Sequence, residues 1–456
     1  MPVMTLPKWI EPAESMSTLK KLFWAYFLLL IFEGALRKWV FPPLSAPLLL
    51  VRDPIGILII YEAYRTGKWP ERWSAITGIL ATFLLGLCIL QLISGDNPWF
   101  AGLYGLRSYL LPFPVAFVMG ENLDAEDLHK FGVVILWLVL PLTLLEIAQY
   151  LSPSGSFLNR GAYEGAEQIG YEGARVRASA TFSFVTGPMA FTPLAAAFIL
   201  YGFVKEKFAE KWLLWAAAFA LLLSIPIIGS RTIVFELAAV VICAGIAGLC
   251  GVSQFFQQLR IAIPLLIVSF LVSLLPIFSE ASNSLHKRFL QASTGEGGVT
   301  QAIESRTFGA LLSTIEQADY LSNPVGYGMG RGAAAISKLM QGSEFPAGEG
   351  EIGRLMFEFG SFPGLFFILF RFALAIVIVM SAVARAREQE PLALLLVPLL
   401  FTSLTLSVFE QPTEQGFMVI ALAFSLAAVN ARPALSVSRH SHVTRLRPRT
   451  APRYPA

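Results

Sequence analysis

The chain predicts an all-α fold: a polytopic transmembrane helical bundle with a large helical extracytoplasmic loop. Three observations predict it. Of 456 residues, 55% are hydrophobic and only 14% charged, whereas a soluble domain carries about a quarter charged residues. The apolar residues gather in runs, and windows of ~20 residues, enough for ~30 Å of hydrocarbon, suggest about twelve spans. Finally, Lys and Arg concentrate in alternate short loops, the pattern that sets the orientation of a multispanning chain.

Approximate span centres fall at Leu29, Ile57, Thr82, Pro112, Val139, Pro193, Phe219, Val241, Ile267, Leu369, Leu399 and Leu422. The first run follows Lys20-Lys21 and leads into further spans, so it reads as an anchor rather than a cleaved signal. One set of loops holds Lys20, Lys21, Arg65, Lys68, Arg72, Lys130, Lys205, Lys207, Lys211, Arg260, Arg385 and Arg387. These loops are expected in the cytoplasm together with both termini. The organisation expected is a cytoplasmic segment 1–20, nine spans in 21–278, an extracytoplasmic loop 279–353, three spans in 354–431 and a basic tail 432–456. Arg37-Lys38 runs against the pattern, because it falls at the outer end of the first span.

The outer segments are 94–97, 152–180, the Ser230-Arg231 turn, 279–353 and Glu410-Gln411-Pro412. Within 279–353, Leu311, Leu312 and Ile315 recur at helical spacing over Ile303 to Leu321, and Asn323-Pro324 ends that helix. A glycine run and a second short helix near Ala333–Met340 follow, a unit able to roof a cavity between spans. Charges inside the spans (Glu33, Arg52-Asp53, Arg107, Glu236) fit such a cavity, since intramembrane ionisable residues face the bundle interior. Arg52-Asp53 reads equally well as a structural pair at a helix end. No internal repeat and no matching pair of Gly/Pro-broken spans is visible, which counts against a transporter built from duplicated halves.

The net charge of +3 is too small to imply nucleic acid, and its excess is local. Arg439, Arg445, Arg447 and Arg449 lie in the tail, where they suit anionic lipid headgroups. Cys88, Cys243 and Cys250 all sit in apolar runs without CxxC spacing and read as small buried hydrophobes. No metal site and no cofactor is expected.

Eight arginines (Arg160, Arg175, Arg177, Arg231, Arg288, Arg306, Arg331, Arg354) gather on the side normally poor in positive charge. Arg231, in Gly229-Ser230-Arg231-Thr232, is held at the membrane boundary by apolar runs on both sides. Its guanidinium can bind phosphate oxygens in bidentate fashion, or simply snorkel to cap a span. Arg175 and Arg177 precede Ala178-Ser179-Ala180-Thr181, a run of small and hydroxylated residues entering a span. This is an anion site or an interfacial anchor. The alternating glycines of 326–332, including Gly328 and Gly330 beside Arg331, allow close backbone approach to a ligand, or form an ordinary loop. The Gly-Lys-Ser/Thr ending of a phosphate-binding Walker loop is missing. Glu349 and Glu351, near Arg354, can supply a general base or a solvated loop.

Several motifs stand in order. These are Gly105-Leu106-Arg107 with Tyr109-Leu110; Arg-Ala-Ser-Ala-Thr-Phe (177–182); Gly-Ser-Arg-Thr (229–232); Asn-Pro-Val-Gly-Tyr-Gly-Met-Gly (323–330); and Glu-Phe-Gly-Ser-Phe-Pro-Gly (358–364). In that order, over residues 100–375, the chain resembles the O-antigen polymerase/ligase family. The resemblance implies a glycosyltransferase of the bacterial inner membrane, using a polyprenyl-pyrophosphate-linked glycan on the outer side and possessing other polysaccharide-assembly proteins as partners. It implies pyrophosphate binding by Arg231 and Arg306, helped by Arg177 and Arg175, with Ser230, Arg107, Gly328, Gly330 and Arg331 in support. Ligase members are similar in carrying a histidine just upstream of the Glu-x-Gly pattern. Glu349 holds that place here, and none of His129, His286, His440 and His442 fits it, which favours polymerisation over ligation. Glu349 and Glu351 are then the candidate bases. A solute or lipid-glycan transporter and a non-catalytic envelope-assembly protein are the alternatives.

Overall fold

In the computed structural model the residues described are 16–95, 97–162, 170, 175–251, 283, 323–333, 336, 339–340 and 350–431. Among them the regular structure is helical, with one isolated bridge between Gly170 and Val176. The helices are α1 Thr18–Ala35, α2 Arg52–Arg65, α3 Glu71–Ile93, α4 Trp99–Leu110, α5 Pro112–Asn122, α6 Ala125–Leu151 and α7 Thr186–Val204. They continue with α8 Lys211–Ile228, α9 Arg231–Leu249, α10 Glu351–Phe359, α11 Ser361–Arg387, α12 Leu392–Thr405 and α13 Pro412–Asn430. Among the described residues, eight helices or joined helices are long and apolar enough to cross a membrane: 42–65, α3, α6, α7, α8, α9, α11 and α13. These define a membrane-embedded helical protein.

The difference from about twelve expected spans has local causes. The Pro112 region is two short helices joined at Leu111 rather than one long helix, because a proline lacks the N–H an uninterrupted helix needs and Leu111 is followed by Pro112 and Pro114. The segment at Leu29 is helical, but α1 carries Lys20, Lys21 and Glu33. The one at Leu399 is apolar but short. The segment at Ile267 lies outside the described residues, as do Ile303–Leu321, most of 279–353 and the tail 432–456.

Helix ends follow local chemistry. Ser17 caps α1 by accepting from the Lys20 N–H. Asp124 and Asp127 form a reciprocal capping box at the start of α6. α8 ends on Gly229, which takes the left-handed conformation (φ 61°) and turns the chain sharply into Ser230 and α9. Helix α13 is the central post. Phe417 to Ala427 are all buried, and it packs against α5, α12, α11 and α7.

Hydrogen bonds and ion pairs between loops sort the helix ends into two sets. At one end Lys20 pairs with Asp124 (2.8 Å), Lys205 with Glu390 (2.6 Å), and Asn122 donates to the Lys68 carbonyl (3.0 Å). At the other end meet the close of α1, the start of α2, segment 175–186, the Gly229 turn, loop 323–333, α10 and the turn 406–411. Asn97, segment 175–180, the Gly229 turn, loop 323–333 and Glu410 from the expected outer set meet at this second end.

Candidate functional site

The second end divides into a cationic half and an acidic half. The cationic half begins with Glu33, fully buried on α1, which serves two guanidinium groups: Arg37 (3.1 Å) and Arg52 (3.2 Å). Arg37 also donates to the Ser45 carbonyl (2.8 Å) and to Ser183 Oγ (3.0 Å). Arg52 donates to the Pro412 carbonyl, and its Nη1 is buried with no partner among the described residues. The Arg52 guanidinium lies against Gly416 where a side chain on α13 would otherwise stand. Beside it Asp53 holds Arg107 through two bonds, at 2.5 and 3.0 Å. Arg52 and Asp53 therefore pair with other helices, not with each other.

Lys38 sits in a π-helical turn just beyond α1 and is completely buried. Its ammonium donates to the Ala180 carbonyl (2.6 Å) and Ser179 Oγ (3.0 Å) and stands 4.6 Å from the Trp39 ring centre. No carboxylate pairs with it among the described residues. Segment 178–183 is in turn held by Gln149, whose carbonyl oxygen accepts from the Ser179 and Ala180 N–H groups (3.1 and 2.8 Å). Ala180 adopts a left-handed backbone (φ 48°), a conformation costly for a residue with a Cβ. Arg177, also buried, donates to the Ile228 carbonyl (2.8 Å) three residues before Arg231. Arg175 donates to the Tyr150 carbonyl (3.2 Å) and lies over that ring at 4.8 Å. Among the described residues of this half, the buried cations Arg37, Lys38 and Arg52 stand with a single buried carboxylate, Glu33, while the half-buried Arg107 is matched by Asp53.

The acidic half is built around Glu358, the penultimate residue of α10, which is fully buried. Its carboxylate accepts from the N–H groups of Gly330 (3.0 Å) and Gly332 (2.7 Å) and from the Tyr109 hydroxyl (3.0 Å). Gln91 on α3 clamps the same glycine loop. It donates to the Val325 and Glu358 carbonyls (2.8 Å each) and accepts from the Met329 N–H (2.8 Å). Asn97 donates to the Met329 carbonyl (3.1 Å). Gly328 backs onto the Asn97 side chain, and Gly330 onto the backbone of Ala101 and Gly105. At these two positions the close approach is between parts of the protein. Both glycines have positive φ (121° and 84°).

Glu410, in the turn before α13, joins this group. Its Oε2 accepts from Arg354 (2.9 Å), while Oε1 is buried with no partner among the described residues. Burial and the neighbouring Glu358 carboxylate hold the Glu410 carboxyl well above the usual carboxylate range. Burial likewise raises Glu358, against the pull of Arg354 and the two glycine N–H groups. Glu351 is buried against Arg371 (2.7 Å), and burial raises it too. Glu414 accepts from the Val408 N–H (2.6 Å). Among the described residues, four carboxyl groups gather here with Arg354 and Arg371 bonded to two of them, and Arg331 on the adjoining loop. The start of α13 joins the halves: Gln411 donates to Thr186 Oγ1 (2.9 Å), and Arg107 to Gln415 (3.4 Å).

Of the expected site residues, Arg107, Arg175, Arg177, Ser230 and Arg231 fall in or beside the cationic half. Glu351, Gly328, Gly330 and Arg331 fall in the acidic half, where Arg331 donates to the Tyr327 carbonyl (2.9 Å). Arg306 and Glu349 lie outside the described residues. Sequence reasoning did not single out Lys38, Gln91, Glu146, Glu358, Arg371 or Glu410 as site residues. Lys38 carried a signal, since it contradicts the loop-charge pattern, and so did Arg371, a lone arginine in an apolar run. Gln91 and Glu410 carried none.

The class these features define is a polytopic helical membrane protein with buried, segregated charge at one end of its bundle. Comparison with known protein families, curated proteins and solved structures finds no match.

Proposed function

We propose that the protein is a membrane glycosyltransferase that moves a glycan from a polyprenyl-pyrophosphate donor onto an acceptor hydroxyl, in the manner of a polysaccharide polymerase. One observation carries this reading. Buried cations outnumber buried carboxylates in one half of the described site, while the adjoining half retains protonatable carboxyls. Uncompensated buried positive charge is expensive, and an anionic ligand removes the cost. A pyrophosphate leaving group develops charge as the glycosidic bond breaks, and fixed guanidinium groups stabilise it without metal. The attacking hydroxyl must lose a proton, which a nearby carboxylate accepts. Arg231, Arg177 and Arg306 bind the pyrophosphate in this scheme, and Glu349 is the candidate base. Glu351 is a weaker one, since it is buried against Arg371.

The test uses purified protein in lipid nanodiscs with a polyprenyl-pyrophosphate oligosaccharide, following release of polyprenyl pyrophosphate and glycan elongation. Arg231→Ala is expected to cut turnover by about a hundredfold, the scale of losing one charge-stabilising donor. Unchanged turnover removes Arg231 from the site, and absence of any turnover in the parent protein removes the reading. A transporter is the second reading. It is favoured by Glu146, buried at the α6–α8 contact with Oε2 unpartnered among the described residues, a feature suited to an intramembrane proton carrier. Movement of a glycan across vesicles without elongation would select it.

A further inference from the structure

We propose that Glu358 and Glu410 form a proton-sharing latch that clamps the glycine loop 323–333 onto α10 while one proton lies between them, and frees the loop when that proton leaves. The latch is independent of glycosyl transfer and stands on the hydrogen bonds of the acidic half. Glu358 presents both carboxylate oxygens to the loop: Oε1 to the Gly332 N–H at 2.7 Å and Oε2 to the Gly330 N–H at 3.0 Å. Two backbone donors from alternate residues form a small anion cradle, and here the occupant is the protein's own carboxylate. Glu410 is the acid beside it, tied to α10 by its ion pair (2.9 Å) with Arg354, one turn before Glu358. With Oε2 given to Arg354, its buried Oε1 has no donor among the described residues. A buried oxygen in that position is costly as an anion and is satisfied as a hydroxyl donating to Glu358.

The surroundings leave little to replace the proton. Tyr104 and Tyr109 face the pair from α4, with the Arg107–Asp53 pair beyond Tyr104; the Tyr104 hydroxyl donates to the Glu410 carbonyl (3.1 Å). Glu351 and Arg354 face it from α10, Arg371 from α11, Glu414 from α13, and Tyr327 and Arg331 from the loop. Arg371 is committed to Glu351 and to the Leu404 and Ser407 carbonyls (2.5 and 2.9 Å). When the Glu410 O–H bond breaks and the proton passes to solvent, two carboxylates stand side by side, with Arg354 bonded to Glu410. Their repulsion loosens the Glu358 contact, and the Gly330 and Gly332 amides are released.

The Arg331–Gly332 peptide bond lies between the clamped amides, so trypsin reads the latch directly. Full-length protein in detergent is digested at several pH values. Cleavage after Arg331 is divided by cleavage after Lys207, at the opposite end, to cancel the protease's own pH response. Where cleavage tracks the open population, loss of one proton raises the ratio about tenfold per pH unit between the open-state pKa and the higher latched pKa, and the ratio levels off above it. Glu410→Gln keeps an N–H donor that cannot ionise, and is expected to give a slow, flat ratio. Glu358→Gln, with one acceptor oxygen instead of two, is expected to be cut fast at every pH. A flat ratio in the parent protein overturns the proposal, as does an unchanged slope in Glu410→Gln or slow cutting of a folded Glu358→Gln. If Glu358→Gln does not fold, the Glu410→Gln slope decides alone.

Discussion

At the residue scale, the same carboxyls make stability depend on pH. Glu410 is held well above its ordinary pKa of 4.5, so the folded protein keeps a proton that the unfolded chain has released. Stability is therefore greatest below that ordinary value and falls as pH rises toward the folded pKa, by up to about 1.4 kcal/mol per pH unit while both conditions hold. The expected outcome is a Tm that drops between mildly acidic and mildly alkaline buffer, with Glu410→Gln flattening the drop in thermal unfolding followed by intrinsic fluorescence. An equal drop in both proteins would assign it to other groups. Gly416 gives a steric counterpart. Any Cβ there meets the Arg52 guanidinium, whose Nε and Nη2 are committed to Glu33 and Pro412. Gly416→Ala is expected to cost about 1–3 kcal/mol, the scale of overpacking a filled interior, measured by the same unfolding assay.

At the element scale, one side chain on α3 organises the glycine loop. Gln91 uses its whole carboxamide on Val325, Met329 and Glu358, residues more than two hundred positions away. Gln91→Leu would leave the Met329 N–H without its acceptor in a buried setting. A destabilisation of about 2–4 kcal/mol is expected, since each stranded buried group costs about 1–3 kcal/mol. Accelerated tryptic cutting at Arg331 should accompany it; a stable variant with an intact loop would show that Asn97 and Glu358 suffice. The sequence marks the loop by its glycines and suggests a ligand beneath them. It is silent on the partner, because a single glutamine in an apolar run has no period or spacing that points anywhere. Apolar periodicity and length, by contrast, reveal the spans themselves. Among the described residues, the expected segments that fall short of a single long apolar helix are the one Pro112 divides, the charged α1 and the short α12.

At the scale of the whole molecule, the two ends differ in kind. One carries solvent-facing lysines and arginines: Lys68, Lys130, Lys205 and Lys207 are exposed. The other buries its charges in networks that bind several elements together, with Glu33, Arg37, Lys38, Arg52, Arg177, Glu351, Glu358, Arg371 and Glu410 all nearly inaccessible. This contrast explains why Arg37-Lys38 breaks the loop-charge pattern. That pattern concerns exposed flanking charge near the membrane, and these two side chains are interior ligands of Glu33, Ser179, Ala180 and Ser183. They are not part of the topological signal. The signal that remains predicts that the lysine-rich end is cytoplasmic. A membrane-impermeant maleimide can test this on a background with Cys88, Cys243 and Cys250 replaced. A cysteine at Lys68 or Lys207 should stay unlabelled in intact cells and react after lysis, whereas one at Gly155, exposed at the opposite end, should react in intact cells. The reverse pattern would place the buried cations on the cytoplasmic side and end the case for transfer at the outer face, while leaving the Glu358–Glu410 latch untouched.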